Sequence, residues 1–294
     1  MLDILFIGSP GEQSLITLKG IIDSGHSVCA VAVAGSSLGI GSAASSRRVF
    51  IPAINADSGD SILTIAMERG IPVEIIYPGA IQNQLQSYSP DIGITSCFPH
   101  RLQNELLRLP KFGCVNLHPS LLPKYPGPAP LFWQLWHGET HTGVTLHQME
   151  SRLDAGNIIS QERLPIRDGV SEAELSRLCA TRGSALVRNA LRQIELGTLV
   201  STPQNRQHIS YHGWPTAQDF HITTDWSTRR ISNFINGTRQ RGKKYHLGIG
   251  QTLFLLDSVM ETSPNPIPIK DYIVEGRYLR FNCYDGCVTA RLAK

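Results

Sequence analysis

Residues 91–120 read DIGITSCFPHRLQNELLRLPKFGCVNLHPS. An apolar run from Asp91 to Ser96 is followed by Leu102 to Leu109, where apolar residues recur three and four apart, and then by a second apolar run from Gly113 to Leu117. A short continuous apolar run suits a strand covered on both faces, and the three-four spacing suits an amphipathic helix. This is a β-α-β unit, whose helix carries the chain back so that two strands can run parallel.

The same alternation extends towards the amino terminus. Strands are expected at Leu2 to Ile7, Ser27 to Ala34 and Pro72 to Ile76, with helices at Glu12 to Ser24 and Ser61 to Arg69. Repeated β-α units imply an α/β domain with an open, mostly parallel, Rossmann-like sheet. Such sheets bind ligands beyond the carboxyl ends of their strands, where the strand order reverses.

Farther along, Gly143 to His147 reads as another strand and Ser171 to Leu196 as a long helix, with Ser171 and Glu174 forming a capping box and Gly197 stopping it. Thr198 to Thr223 is polar and irregular, which suits a linker. From about Asp225 one helix, Thr228 to Ile235, precedes short strands at Thr252 to Leu256, Asp271 to Val274, Tyr278 to Tyr284 and Gly286 to Leu292. Several short strands in so few residues suggest a small barrel. The expected division is a catalytic α/β domain at 1–200, a linker at 201–224 and a small β-rich domain at 225–294.

Composition narrows the function classes. The 294 residues carry 27 basic and 24 acidic side chains, a net charge of +3, which is weak for a dedicated nucleic-acid-binding domain. Six scattered cysteines, of which only Cys283 and Cys287 are close, indicate neither a disulfide scaffold nor a zinc ribbon. The start, MLDILFIGSPGEQ, lacks the basic opening and long apolar stretch of a signal peptide, and no later window is apolar enough to span a membrane. A soluble, cytoplasmic protein with no membrane partner is expected.

The chemistry concentrates between Phe112 and Gln161. On an extended strand, Asn116 and His118 share one face while Leu117 turns the other way. Pro119, Pro123, Pro126, Pro128 and Pro130 follow, with Gly127 among them, and are expected to give a stiff loop free of helix and strand. Asp154, between Leu153 and Gly156, is expected on a tight turn that returns its carboxylate to the same strand end. An amide such as Asn116 can stabilise a developing oxyanion, His118 can accept a proton from an attacking amine, and Asp154 can hold the imidazole and stabilise its cation. No G-x-S-x-G elbow supplies a nucleophile, so direct acyl transfer to an amine is expected.

NLHPSLLPKYPGPAP from Asn116, followed by TGVTLHQMESRLDAGNII from Thr142, resembles the 10-formyltetrahydrofolate-dependent formyltransferases, and the stretch DWSTRRISNFINGTR from Asp225 is similar to the accessory domain of the methionyl-tRNA-directed members. The resemblance implies a Rossmann-like formyltransferase domain and an OB-like barrel, with Asn116, His118 and Asp154 as catalytic residues. It places the folate donor, 10-formyltetrahydrofolate, against Phe98, Leu102, Ser120, Leu121, Leu122 and Pro123. It implies an amine acceptor, for which charged initiator tRNA is one candidate; an amino-sugar nucleotide, an amino-acid derivative and water, as in a formyltetrahydrofolate hydrolase, are the alternatives.

Several features depart from the pattern or stand outside it. Many relatives carry a basic residue where Pro126 precedes Gly127, and 35–52 (GSSLGIGSAASSRRVFIP) contains only Arg47 and Arg48 where tRNA-directed enzymes have a strongly basic insertion. Arg239, Arg241, Lys243 and Lys244 form the densest basic run, a possible phosphate contact or a solvated face. Glycines from Gly39 are expected in a plain loop. His137 with His141, and His208 with His212, have a four-residue spacing but lack a third ligand, so no metal is expected. Phe132, Trp133 and Trp136 are expected in the core.

Overall fold

The computed structural model describes residues 1–35, 61–77, 83–205, 211–268 and 271–293. The glycines from Gly39, Arg47, Arg48 and His208 lie outside them. Two compact units are present: Met1–Pro126, Gly143–Arg163 and Ser176–Tyr211 form the first, and Gly127–Thr142, Leu164–Leu175 and His212–Lys294 the second.

The elements run β1 (Asp3–Gly8), α1 (Glu12–Ile22), β2 (Ser27–Ala34), α2 (Ile62–Glu68), β3 (Val73–Ile76), α3 (Asn83–Gln86), β4 (Ile92–Ser96), α4 (Asn104–Arg108), β5 (Cys114–His118), α5 (Pro130–His137), β6 (His141–Gln148), β7 (Ile158–Pro165) and α6 (Glu172–Leu196). Seven strands form one sheet in the order β3-β2-β1-β4-β5-β6-β7. β1 through β5 pair in parallel, and β6 joins β5 antiparallel. This is the mostly parallel, Rossmann-like α/β sheet expected from the sequence. The strand order reverses at β1, which has β2 on one side and β4 on the other, so the carboxyl ends of β1, β4 and β5 border the expected ligand crevice.

Continuous apolar runs build this sheet because both faces are covered. Ile4, Leu5, Phe6 and Ile7 of β1 are fully buried, and Leu5 and Ile7 join Ala30, Ala32, Leu106 and Leu107 in one core cluster. α6 is capped as the sequence predicts: the Ser171 amide donates to Glu174 Oε2 at 2.8 Å, and the Glu174 amide donates to Ser171 Oγ at 3.2 Å.

The proline-rich segment departs from expectation at its end, where Pro130 starts α5. A proline at the first helical position costs nothing, because the amide it lacks has no partner there. Phe132 and Trp133 of that helix are buried, and Phe132 packs on Phe220 and Phe234.

The second unit contains β8 (His221–Ile222), α7 (Thr228–Thr238), β9 (Tyr245–Ile249), β10 (Thr252–Ser263), β11 (Tyr272–Glu275), β12 (Tyr278–Cys283) and β13 (Gly286–Leu292). Its sheet, mostly antiparallel, has the order β11-β12-β13-β10-β9-β8, giving the small β-rich domain the sequence suggested. The basic run beside it is partly paired. Arg241 makes two hydrogen bonds to Glu172, at 2.7 and 2.5 Å, while Asp257 pairs with Arg239 at 3.3 Å, with Lys244 at 2.9 Å and also with Arg291. Among the described residues no helix is long and apolar enough to cross a membrane.

Candidate active site

Asn116 and His118 project from one face at the carboxyl end of β5. The antiparallel register sets Asn116 opposite His147 and His118 opposite Thr145, so alternation on both strands gathers these four residues on one side of the sheet. The imidazoles of His118 and His147 are 4% and 2% exposed, which leaves little water to compete for their nitrogens.

Backbone carbonyls fix both rings. A carbonyl oxygen only accepts, so His118 Nε2 carries the hydrogen that bonds the Tyr125 carbonyl at 2.8 Å, and in the neutral ring the lone pair is on Nδ1. His147 Nδ1 donates to the Gln148 carbonyl at 2.8 Å, and its Nε2 lone pair accepts from Asn116 Nδ2 at 3.2 Å. Burial, reinforced by the charge of His118 when that is protonated and opposed by Asp154, holds His147 down to about 4 and therefore neutral near pH 7. One hydrogen of the Asn116 amide is thereby committed to His147, and the other is free to meet a ligand.

Asp154 lies between the two rings. Its Oδ2 is 3.7 Å from His118 Nδ1 and its Oδ1 is 3.7 Å from His147 Nε2, separations that suit charge pairing but exceed a hydrogen bond. A proton placed on His118 Nδ1 would face the Asp154 carboxylate oxygen 3.7 Å away.

The turn carrying Asp154 is tightly held. Asp154 has φ 51°, a left-handed conformation uncommon outside glycine, and Gln204 Nε2 donates at 2.8 Å to both the Asp154 and the Gly156 carbonyl. Gly156 runs against β6: a β-carbon there would sit 1.9 Å from the Gln148 carbonyl oxygen.

The residues assigned to the donor fall into two groups. Ser120 and Leu122 are buried and hold the loop, with Thr145 Oγ1 donating to the Ser120 carbonyl at 2.6 Å, Ser120 Oγ to the Lys124 carbonyl at 2.7 Å, and Gln161 Nε2 to the Leu122 carbonyl at 2.7 Å. Leu102 is inside the core cluster against which Phe98 packs. Leu121 and Pro123 are partly exposed, and Pro123 lines a cavity of about 200 Å³ together with Pro126, Arg152, Leu153, Asp154, Ala155, Gln204 and Tyr211.

Thiol chemistry has little footing here. Cys97, just beyond β4, is an exposed residue whose sulfur donates to Gln13 Oε1 at 2.7 Å, and desolvation of that sulfur pushes the thiol up to about 11. Burial pushes Cys114 up to about 12. Neither is a thiolate near neutrality. Among the described residues, no group of three His, Cys, Asp or Glu side chains is placed to hold a metal ion.

His147, Tyr125 and Gln204 escaped the sequence reading. His147 had a signal, because it shares strand parity with Gly143 and Thr145, but its meaning required knowing that β6 pairs with β5. Tyr125 contributes a carbonyl, which any residue possesses. Gln204 lies in the stretch read as linker.

Residues 4–191 match the formyl transferase family. A methionyl-tRNA formyltransferase from Halalkalibacterium halodurans is 32% identical over 264 residues, covering 89% of this chain and 79% of that protein. Among solved structures, a sugar 3N-formyl transferase crystallised with dTDP and 5-N-formyl-THF shares the fold, with a TM-score of 0.71 at 17% identity over 100% of this chain and 98% of the other. An N-formyltransferase from Helicobacter canadensis, in complex with folinic acid and dTDP-3-aminofucose, has a TM-score of 0.68 at 19% identity, covering 99% of each chain. With this extent of agreement in sequence, the chain belongs to the formyl transferase family and is a formyltransferase.

Proposed function

We propose that the site passes the formyl group of 10-formyltetrahydrofolate to an amine, with the methionyl group of charged initiator tRNA as the acceptor. The observation that carries this reading is the meeting of Asn116, His118 and Asp154 at the end of β5, with each polar atom given one role by its neighbours. The amine attacks the formyl carbon, and the uncommitted hydrogen of Asn116 meets the oxyanion that forms. His118 Nδ1 takes the proton of the attacking amine, Asp154 stabilises the resulting imidazolium, and the same proton returns to the departing folate nitrogen. His147 stays neutral and orients Asn116.

On the donor side, Leu121, Pro123 and Phe98 offer surface, while Ser120, Leu122 and Leu102 shape the wall from within. Folate derivatives in solved relatives of the same fold support this donor. The absence of a membrane-crossing helix among the described residues is compatible with a cytoplasmic location, which we adopt as part of this reading.

A second acceptor class, a small amine such as an amino-sugar nucleotide or amino-acid derivative, is favoured by Pro126 and by the internal pairing of Arg239, Arg241 and Lys244. Supplying the formyl donor with charged tRNA, amino-sugar nucleotides and small amines in separate reactions, and following tetrahydrofolate release, distinguishes these acceptors. A tRNA acceptor should bind more weakly as salt rises from about 50 to 200 mM. His118→Ala should keep folate affinity within a few-fold and lower transfer at least about 100-fold. Near-normal transfer by that variant removes the mechanism.

A further inference from the structure

We infer that Arg152 selects acceptors that carry an oxyanion, principally phosphate, close to the amine to be formylated. This rests on the formyl-transfer reading and adds to it the chemistry that distinguishes one amine from another.

The cavity beside Asp154 is lined by one basic and one acidic chain, Arg152 and Asp154, and its other described walls are Pro123, Pro126, Leu153, Ala155, Gln204 and Tyr211. Asp154 is 8% exposed and turned towards the two imidazoles. Arg152 is exposed, and no hydrogen bond or ion pair joins its guanidinium to another described residue. A single turn links the two, closed by the Ala155 amide donating to the Arg152 carbonyl at 3.4 Å, so their spacing is set by backbone that Gln204 already clamps. Arg101, which bonds the neighbouring Ser151 carbonyl, adds positive charge on the same connection, and Glu150 on that connection does not line the cavity.

A cavity with Asp154, the carboxylate beside the His118 ring, on its wall and an exposed guanidinium two residues away fits a molecule with an amine and an anion a short distance apart. The planar fork of arginine matches phosphate with two parallel hydrogen bonds. The phosphate can belong to a nucleotide-linked sugar or to the acceptor end of a tRNA.

The test compares paired acceptors: charged tRNA against methionine amide, and an amino-sugar nucleotide against the free amino sugar. Wild-type enzyme should show higher kcat/KM for the phosphate-bearing member of the pair it uses, and which pair responds identifies the source of the phosphate. Arg152→Gln should reduce that preference at least about tenfold, through KM, and Arg152→Lys should restore part of it. Inorganic pyrophosphate should compete with the acceptor in wild type and lose at least about tenfold in inhibition constant in Arg152→Gln. An unchanged preference together with unchanged pyrophosphate inhibition overturns the inference while leaving formyl transfer intact. If wild type formylates no amine in either pair, the formyl-transfer reading falls and takes this inference with it.

Discussion

Asn116 Nδ2 donates to His147 Nε2 at 3.2 Å across directly opposed positions of β5 and β6. The bond orients the amide whose second hydrogen is assigned to the oxyanion. Removing its acceptor with His147→Leu should lower kcat about 10- to 100-fold, the scale at which misplacing a catalytic group is felt. His147→Gln offers a carbonyl oxygen to the same amide and should recover part of the loss. Steady-state kinetics of both variants check this; a His147→Leu enzyme within about twofold of wild type would sink it.

Acid should weaken the fold through the same histidine. In the unfolded chain His147 titrates near its ordinary 6.5, whereas burial holds it at about 4 in the native protein. Between those values the unfolded state binds more protons, so this contribution is intact above pH 6.5 and is lost as pH falls towards 4. Urea unfolding at pH 7.5 and 4.5 should show a steeper pH dependence for wild type than for His147→Gln, and equal dependences would contradict the assignment.

Gly156→Ala should damage both stability and activity. Its β-carbon would meet the Gln148 carbonyl oxygen at 1.9 Å, a backbone atom that cannot rotate away. Displacement of the turn should cost about 2 kcal/mol or more and move Asp154 off the two imidazoles. Thermal unfolding together with turnover tests this, and a variant matching wild type in both would refute it.

Asp257 anchors the basic side chains of the second unit. Hydrogen bonds from Arg291 and Lys244 hold its carboxyl down to about 2. A depressed acid stabilises the fold above its unfolded value near 3.8, and that contribution fades as pH drops towards 2. Because water and salt screen the pairs, Asp257→Asn should cost only about 1 kcal/mol at pH 7, or about 2 to 4 °C in Tm. Differential scanning calorimetry at low and high salt should show the gap shrinking with salt; a constant gap would point to packing instead.

Local pattern carried much of this protein. Continuous apolar runs located β1, β2 and the Asp91 to Leu117 unit, and the Ser171 cap was visible from its partner three residues on. Strand parity also put Asn116 and His118 on one face. What local pattern lacks is the identity of neighbours distant in the chain. Asn116 and His147 are 31 residues apart and meet only because β6 turns back beside β5. The basic run at Arg239 hides its partners in the same way, since Glu172 and Asp257 appear beside it only in three dimensions. Pro130 evades local pattern for a different reason: a proline that belongs to a stiff loop is also a good first residue for a helix.

The clamp from Gln204 bears on how this enzyme can be divided. A fragment ending at Leu196 would retain Asn116, His118 and Asp154 and all seven strands of the large sheet, yet it would lose the side chain that ties the two carbonyls of the Asp154 turn together. Gln204 also lies beyond 4–191, the span that matches the family. The smallest working catalytic piece should therefore extend past Gln204, beyond the span that matches the family.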